Sequence, residues 1–254
     1  MTFGDHLDAL RPHLLRSAAA FVVLTAAAFL CKGFLVDTLL LGPLRADFPV
    51  NRLIAAFAAR TGIDFSPAAD SLTLVSTSMA GQFNLHIRLS FNVALILAFP
   101  YAVWELWRFV KPALTPRELH ACRHLASAVA LCFFAGTAFG YFVMTPVAVG
   151  FLSRYDVSAA VVNMIDVNSY LSTVVNSTVA CGIIFQLPLA VSLLSRAGIV
   201  SAPLLRRYRR HAFLLLTILS AVITPPAAVS TILIVIPLYG LYELGIRIAE
   251  TRNG

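Results

Sequence analysis

Six long apolar stretches divide this chain, at about residues 14–36, 83–107, 125–149, 171–194, 212–223 and 228–246. About 20 apolar residues cross roughly 30 Å of hydrocarbon, and the first four stretches meet or exceed that length. A backbone in lipid must satisfy its own hydrogen bonds, so each stretch is expected to be a helix. The fold class that follows is an all-α membrane protein, one polytopic domain over residues 1–254 with six transmembrane helices. At 59% hydrophobic and 12% charged residues, the chain has lipid rather than water as its natural solvent.

Sorting the charges by side of the stretches sets the expected topology. The N-terminus, the second and fourth loops and the C-terminus hold 13 of the 19 Lys and Arg against 6 of the 12 Asp and Glu, so the whole net charge of +7 lies on that side. Lys and Arg beside membrane segments are retained in the cytoplasm, which places both termini inside. The pI of about 9.6 raises nucleic acid as a partner, but no basic segment is interleaved with stacking aromatics outside the spans, so none is expected. The first stretch is longer than a signal-peptide core and lacks a clear cleavage site, so it is expected to stay as a membrane helix.

The fifth and sixth helices are expected to be short. As one kinked helix, residues 211–246 would reach about 54 Å, too long for a bilayer. A hairpin turning at Pro225 and Pro226 fits better, and it predicts local bilayer thinning around it. Residues 37–82 and 150–170 are the expected external loops, the first carrying a short apolar run, Leu53 to Ala59, that cannot span.

Polar groups inside the spans are few, and each is a candidate for function. They are Asn92, Glu105, Asn176, Gln186 and Glu243. Gln186 stands two residues before Pro188, so its amide can serve a freed carbonyl or a neighbouring helix, or it can face a substrate. In the loop after the second span, Thr115, Pro116 and Glu118 have capping-box spacing. A cap leaves one Glu118 oxygen free, so the same carboxylate can also take a guanidinium through charge-assisted bonds. Gly136 and Gly140 form a small-xxx-small face for helix packing. His120 and His124 are four apart with no third ligand, and Cys31, Cys122, Cys132 and Cys181 have no metal or redox spacing, so neither metal nor cofactor is expected. No nucleophile elbow or phosphate loop is present, and an enzyme is not expected.

Taken in order, several segments resemble the TatC family, the receptor component of the twin-arginine protein translocase. They are FGDHLDALRPHLLR at the start, FPYAVWELWRFVKPALTPRE over residues 99–118, FFAGTAFGYFVMTP, CGIIFQLP, RRYRR followed by TPP, and IPLYGLYELGI. The resemblance implies six helices forming a concave cup in the cytoplasmic (inner) membrane. It implies recognition of signal peptides bearing paired arginines on folded cargo, export driven by the proton-motive force, and an oligomeric complex with single-span partners of the TatA and TatB types. The arginine-binding acid maps to Glu118, supported by Phe109, Pro112 and Leu114. In the amphipathic start the family's second acid falls on Ala9, with Asp8 one residue and about 100° of helix away. Asp8 and Asp5, beside Arg11, are the candidates to replace it. The family's fourth-span acid is Gln186 here, and its TPPD motif reads Thr224, Pro225, Pro226, Ala227, which with Glu243 marks the implied partner-contact region. The alternative reading is a six-span transporter or channel for small solutes, which needs convergent polar groups at mid-membrane.

Overall fold

The structure, a computed structural model, describes residues 3–45, 47–52, 73–113, 125–153, 158, 164–196, 202–223 and 228–250. Glu118, Leu114, His120, His124, Cys122, Thr224, Pro225, Pro226 and the run from Leu53 to Ala59 lie outside the described residues.

Helix α1 runs from Phe3 to Leu30, so the amphipathic start and the first apolar stretch are one rod rather than a segment followed by a span over 14–36. Pro12 removes only one bond, to the Asp8 carbonyl, and does so before the apolar run begins, where the freed group can reach water. Past Leu30 the backbone turns and rewinds as a wide π-helical segment, Phe34–Leu40. Its last carbonyls are taken by tyrosines: Tyr141 Oη donates to Leu39 O at 2.6 Å and Tyr170 Oη to Leu40 O at 2.7 Å. A short 3-10 turn, Gly42–Leu44, follows.

Helix α2, Gly81–Val110, is 30 residues long and packs along α1. The third span is composite: α3, Leu125–Phe139, passes through a π-helical turn, Gly140–Met144, into α4, Thr145–Leu152. Pro146 explains the wide turn, because it cannot donate to the chain behind it, and Thr145 Oγ1 supplies a bond to Gly140 O at 3.0 Å. The fourth span is α5, Val167–Ile184, which breaks at Phe185 and Gln186 ahead of Pro188 and resumes as α6, Leu187–Arg196. After α7, Ala202–Arg207, come α8, Arg209–Ile223, and α9, Ala228–Glu250. At 15 residues α8 is short, as expected. Helix α9 is not: it runs 23 residues to Glu250, about 34 Å, because nothing in its last turn stops it at 246. Among the described residues, four helical rods are long and apolar enough to cross a membrane: Asp8–Leu30, Gly81–Val110, Leu125–Leu152 and Val167–Val191.

Helices α3 and α5 approach backbone to backbone. A Cβ at Gly136 would lie 2.5 Å from Cys181 O, one at Gly140 2.5 Å from Ser177 O, and one at Gly182 2.7 Å from Thr137 Cγ2. Small residues permit this approach, and dispersion between the two backbones then holds the pair in lipid. Two buried clusters flank the contact. Leu35, Leu40, Leu85, Leu89, Val149, Tyr170 and Leu171 pack at one end, and Met144, Cys181, Ile184, Leu216, Ile234 and Leu238 tie α8 and α9 to the bundle. Val23, Leu30, Leu131, Ile183, Leu215 and Ile236 stay exposed, which suits a surface solvated by lipid.

At the end where α2 and α5 begin, two segments are stapled together. Strand β1, Leu74–Val75, pairs in parallel with β2, Ile165–Asp166. Asp166 caps α5 by accepting from Asn168 N at 2.8 Å and Ser169 N at 3.4 Å. Its other oxygen accepts from Thr77 N at 3.2 Å and Thr77 Oγ1 at 2.8 Å.

Candidate functional site

The opposite end, where α2 finishes, gathers charge. Tyr101, Glu105 and Arg108 recur at helical spacing on one side of α2, and His13 and Arg16 are three apart on α1. The two sets meet. His13 Nδ1 donates to Glu105 Oε2 at 2.5 Å, while Tyr101 Oη and Arg108 Nη1 donate to Oε1, each at 3.2 Å. Arg16 Nη1 stands 3.9 Å from Oε2. Glu105 is only 2% exposed, and a carboxylate that deep is stable only when donors surround it, as they do.

This cluster fixes the start of α1 against the end of α2. His13 also meets Phe109 edge-on, with ring centroids 6.1 Å apart. Helix α2 then passes into a 3-10 turn, Lys111–Ala113, whose Lys111 and Pro112 are exposed. Asp8 and Arg11 are likewise exposed, five and two residues before His13 on α1. The structure therefore brings Asp8, Arg11, Phe109 and Pro112 to one end of the bundle. The side chain of Asp5, like Leu114 and Glu118, is outside what is described.

Glu105 was singled out by the sequence as an intramembrane acid; its partners were not. His13 lies 92 positions away, beyond any local pattern. The available signal was the face on which His13 and Arg16 stand, opposed to a buried acid with its own aromatic and arginine at helical spacing. Chemically, the Glu105 oxygens are engaged by this chain's own cations and hydroxyl. An incoming guanidinium must find its acceptor elsewhere.

The other polar candidates also resolve into internal bonds. Gln186 Nε2 donates to Val129 O of α3 at 3.2 Å and to Gly182 O at 3.4 Å, so the amide does serve a neighbouring helix. Its Oε1 is buried without a partner among the described residues. Glu243 of α9 accepts from Arg209 Nη2 of α8 at 2.7 Å, tying the hairpin's two arms. Asn92 Nδ2 donates to Arg88 O at 2.7 Å, and Asn176 is exposed. Among the described residues no group of three or more His, Cys, Asp or Glu could hold a metal ion. Cys31, Cys132 and Cys181 are free thiols.

Comparison with known proteins places this arrangement. Residues 5–237 match the profile of the family described as Sec-independent protein translocase protein (TatC). The TatC of Blattabacterium sp. subsp. Periplaneta americana is 34% identical over 252 residues, covering 98% of this chain and 95% of that protein. The TatC of Deinococcus radiodurans is 34% identical over 243 residues, covering 95% and 83%. A crystal structure of the twin-arginine translocase receptor TatC in DDM superposes with a TM-score of 0.72 at 27% identity, covering 96% of this chain and 99% of the other. A second crystal structure of that receptor gives a TM-score of 0.69 at 26% identity, covering 98% and 100%. The chain belongs to the TatC family of Sec-independent protein translocase proteins, membrane transport components that are not enzymes.

Proposed function

We propose that this chain is the cytoplasmic-face receptor that binds signal peptides with paired arginines, and that it exports folded cargo on the proton-motive force with single-span TatA-like and TatB-like partners. In this reading six helices cross the inner membrane with both termini inside, in line with the +7 side of the charge distribution. Glu118 is the first arginine acceptor, Asp8 or Asp5 the second, and Phe109, Pro112, Leu114 and Arg11 frame them. The hairpin with Thr224, Pro225, Pro226 and Glu243 is the partner-contact region.

The observation that carries the reading is the His13 to Glu105 contact, which sets the amphipathic start of α1 beside the turn that opens the loop containing Glu118. Two acceptors drawn from sequence positions more than 100 apart would then address one peptide. Because Glu105 already has its donors, it holds the scaffold and leaves capture to other acids.

The test is complementation of a strain lacking this component, with a folded reporter behind a paired-arginine signal. Glu118→Ala is expected to abolish cross-linking to the signal while the protein still accumulates. Normal export by that variant overturns the assignment.

A further inference from the structure

The structure points to a site unconnected with signal capture: we infer that a phospholipid of the leaflet at the paired-strand end sits between α2 and α5, its phosphate at Arg88 and an acyl chain in the cavity beyond. That cavity encloses about 410 Å³, within the range of small-ligand sites. Ile96 and Leu97 of α2, Phe134 and Ala138 of α3, and Val175 and Val179 of α5 line it. Its four polar members already donate to carbonyls: Thr137 to Phe134 O, Thr178 to Val174 O, Tyr141 to Leu39 O and Asn92 to Arg88 O. A hydrophilic solute entering here would lose water and gain little in exchange. A hydrocarbon chain loses nothing.

One turn beyond Asn92 the lining changes character. Asn84, Arg88 and Asn168 border a polar recess, and Arg88 Nη2 donates to Ser172 Oγ at 3.2 Å. Residues 84, 88, 92 and 96 follow one side of α2 at four-residue spacing, so the polar recess runs straight into the apolar cavity. Arg88 is exposed, and among the described residues no carboxylate lies within ion-pair distance of it. Asp166 borders the same recess, but Thr77, Asn168 and Ser169 engage its oxygens. A guanidinium has five donors, so most of Arg88's capacity is open to an anion.

The dimensions fit one occupant. From Arg88 to Leu97 the helix rises about 14 Å, roughly half of a 30 Å hydrocarbon core. A cation at the mouth of an apolar slot one leaflet deep matches a phosphate joined to an acyl chain. A docked partner helix would instead leave Arg88 facing apolar side chains.

The full chain purified in an alkyl maltoside and titrated with phosphatidylglycerol in mixed micelles, read by native mass spectrometry, tests this. One tightly held lipid per chain is expected. Arg88→Gln should weaken it about tenfold, the value of one charge-assisted contact. Ala138→Phe, at an exposed position facing the cavity, should abolish it while the thermal unfolding midpoint stays near that of the parent. Equal lipid retention in Arg88→Gln overturns the proposal even if Ala138→Phe fails to fold. So does displacement of the lipid by inorganic phosphate, which would mean a headgroup site alone. A photo-cross-linker at Val179 that captures a single-span helix or a second copy instead of lipid overturns it as well.

Discussion

The two ends of the bundle are fastened by opposite means. Where α2 finishes, one buried acid holds an imidazole and two guanidinium groups: Glu105 meets His13, Arg108 and Arg16, and the residues beyond it, Lys111 and Pro112, are exposed. Where α2 begins, short strands and a capping aspartate close the structure through backbone amides and a hydroxyl. The first fastening depends on charge and leaves a surplus of positive side chains facing outward. The second depends on hydrogen bonds and spends its one charge internally. Under the proposed function, anchoring α1 with Glu105 separates the task of holding the helix from the task of binding a cationic peptide.

If the ends are independent, the glycine contact between α3 and α5 should be what joins them. Gly140→Leu places a side chain against the Ser177 carbonyl and is expected to cost about 1–3 kcal/mol or more, lowering the thermal unfolding midpoint in detergent. Amide exchange should then speed up at both ends together; a change confined to one end would break the comparison. Next in size, Glu105→Gln leaves His13, Arg16 and Arg108 facing one another. It should raise amide exchange in the first half of α1 by about tenfold while residues 74–77 stay protected. Raising salt sharpens the contrast further. Capture of a paired-arginine peptide should weaken several-fold as the Debye length falls from about 8 Å to about 3 Å, with β1 and β2 unaffected. Gln186→Leu should shift stability by less than about 1 kcal/mol, because a single interhelical amide bond in lipid contributes little; loss of export with normal folding would restore a substrate-facing role.

The smallest effect is expected from acid at the stapled end. The Thr77 hydroxyl, followed by the Thr77 and Asn168 amides, holds the Asp166 carboxyl below the usual aspartate range. A depressed value means the staple is complete above the unfolded value of about 3.9 and fades as pH drops through the lower folded value. Protection at Thr77 and Asn168 should be flat from pH 7 to about 5 and decline only below about 4, and Asp166→Asn should reproduce that decline at neutral pH.

The spanning helices were legible because lipid leaves an apolar run of that length no other structure, and the glycine face was legible because its spacing is local. The beginning of α1 was not, since Pro12 and its charged neighbours read as a separate segment; the helix continues because a proline that early costs one bond at a wet position. Of the readings left open for Gln186, service to a neighbouring helix matches its bond to Val129 O, and its other acceptor is Gly182 O rather than the carbonyl freed by Pro188. The length of α9 was missed because Arg247 looks like an aqueous boundary, whereas the helix runs through it to Glu250. His13 stayed invisible because its meaning depends on a residue of another helix. Its role emerges only once the rods are laid side by side.

The wide turn at Gly140–Met144 works as a shim. One residue above the ordinary helical count rotates everything after it by about 100°, and that offset is what aims Ala148 and Val149 at the interior. A variant in which the same residues wound as ordinary helix would still be apolar and still long enough to cross. Its far half would nonetheless present a different meridian, moving Val149 off the cluster it shares with Tyr170 and Leu171.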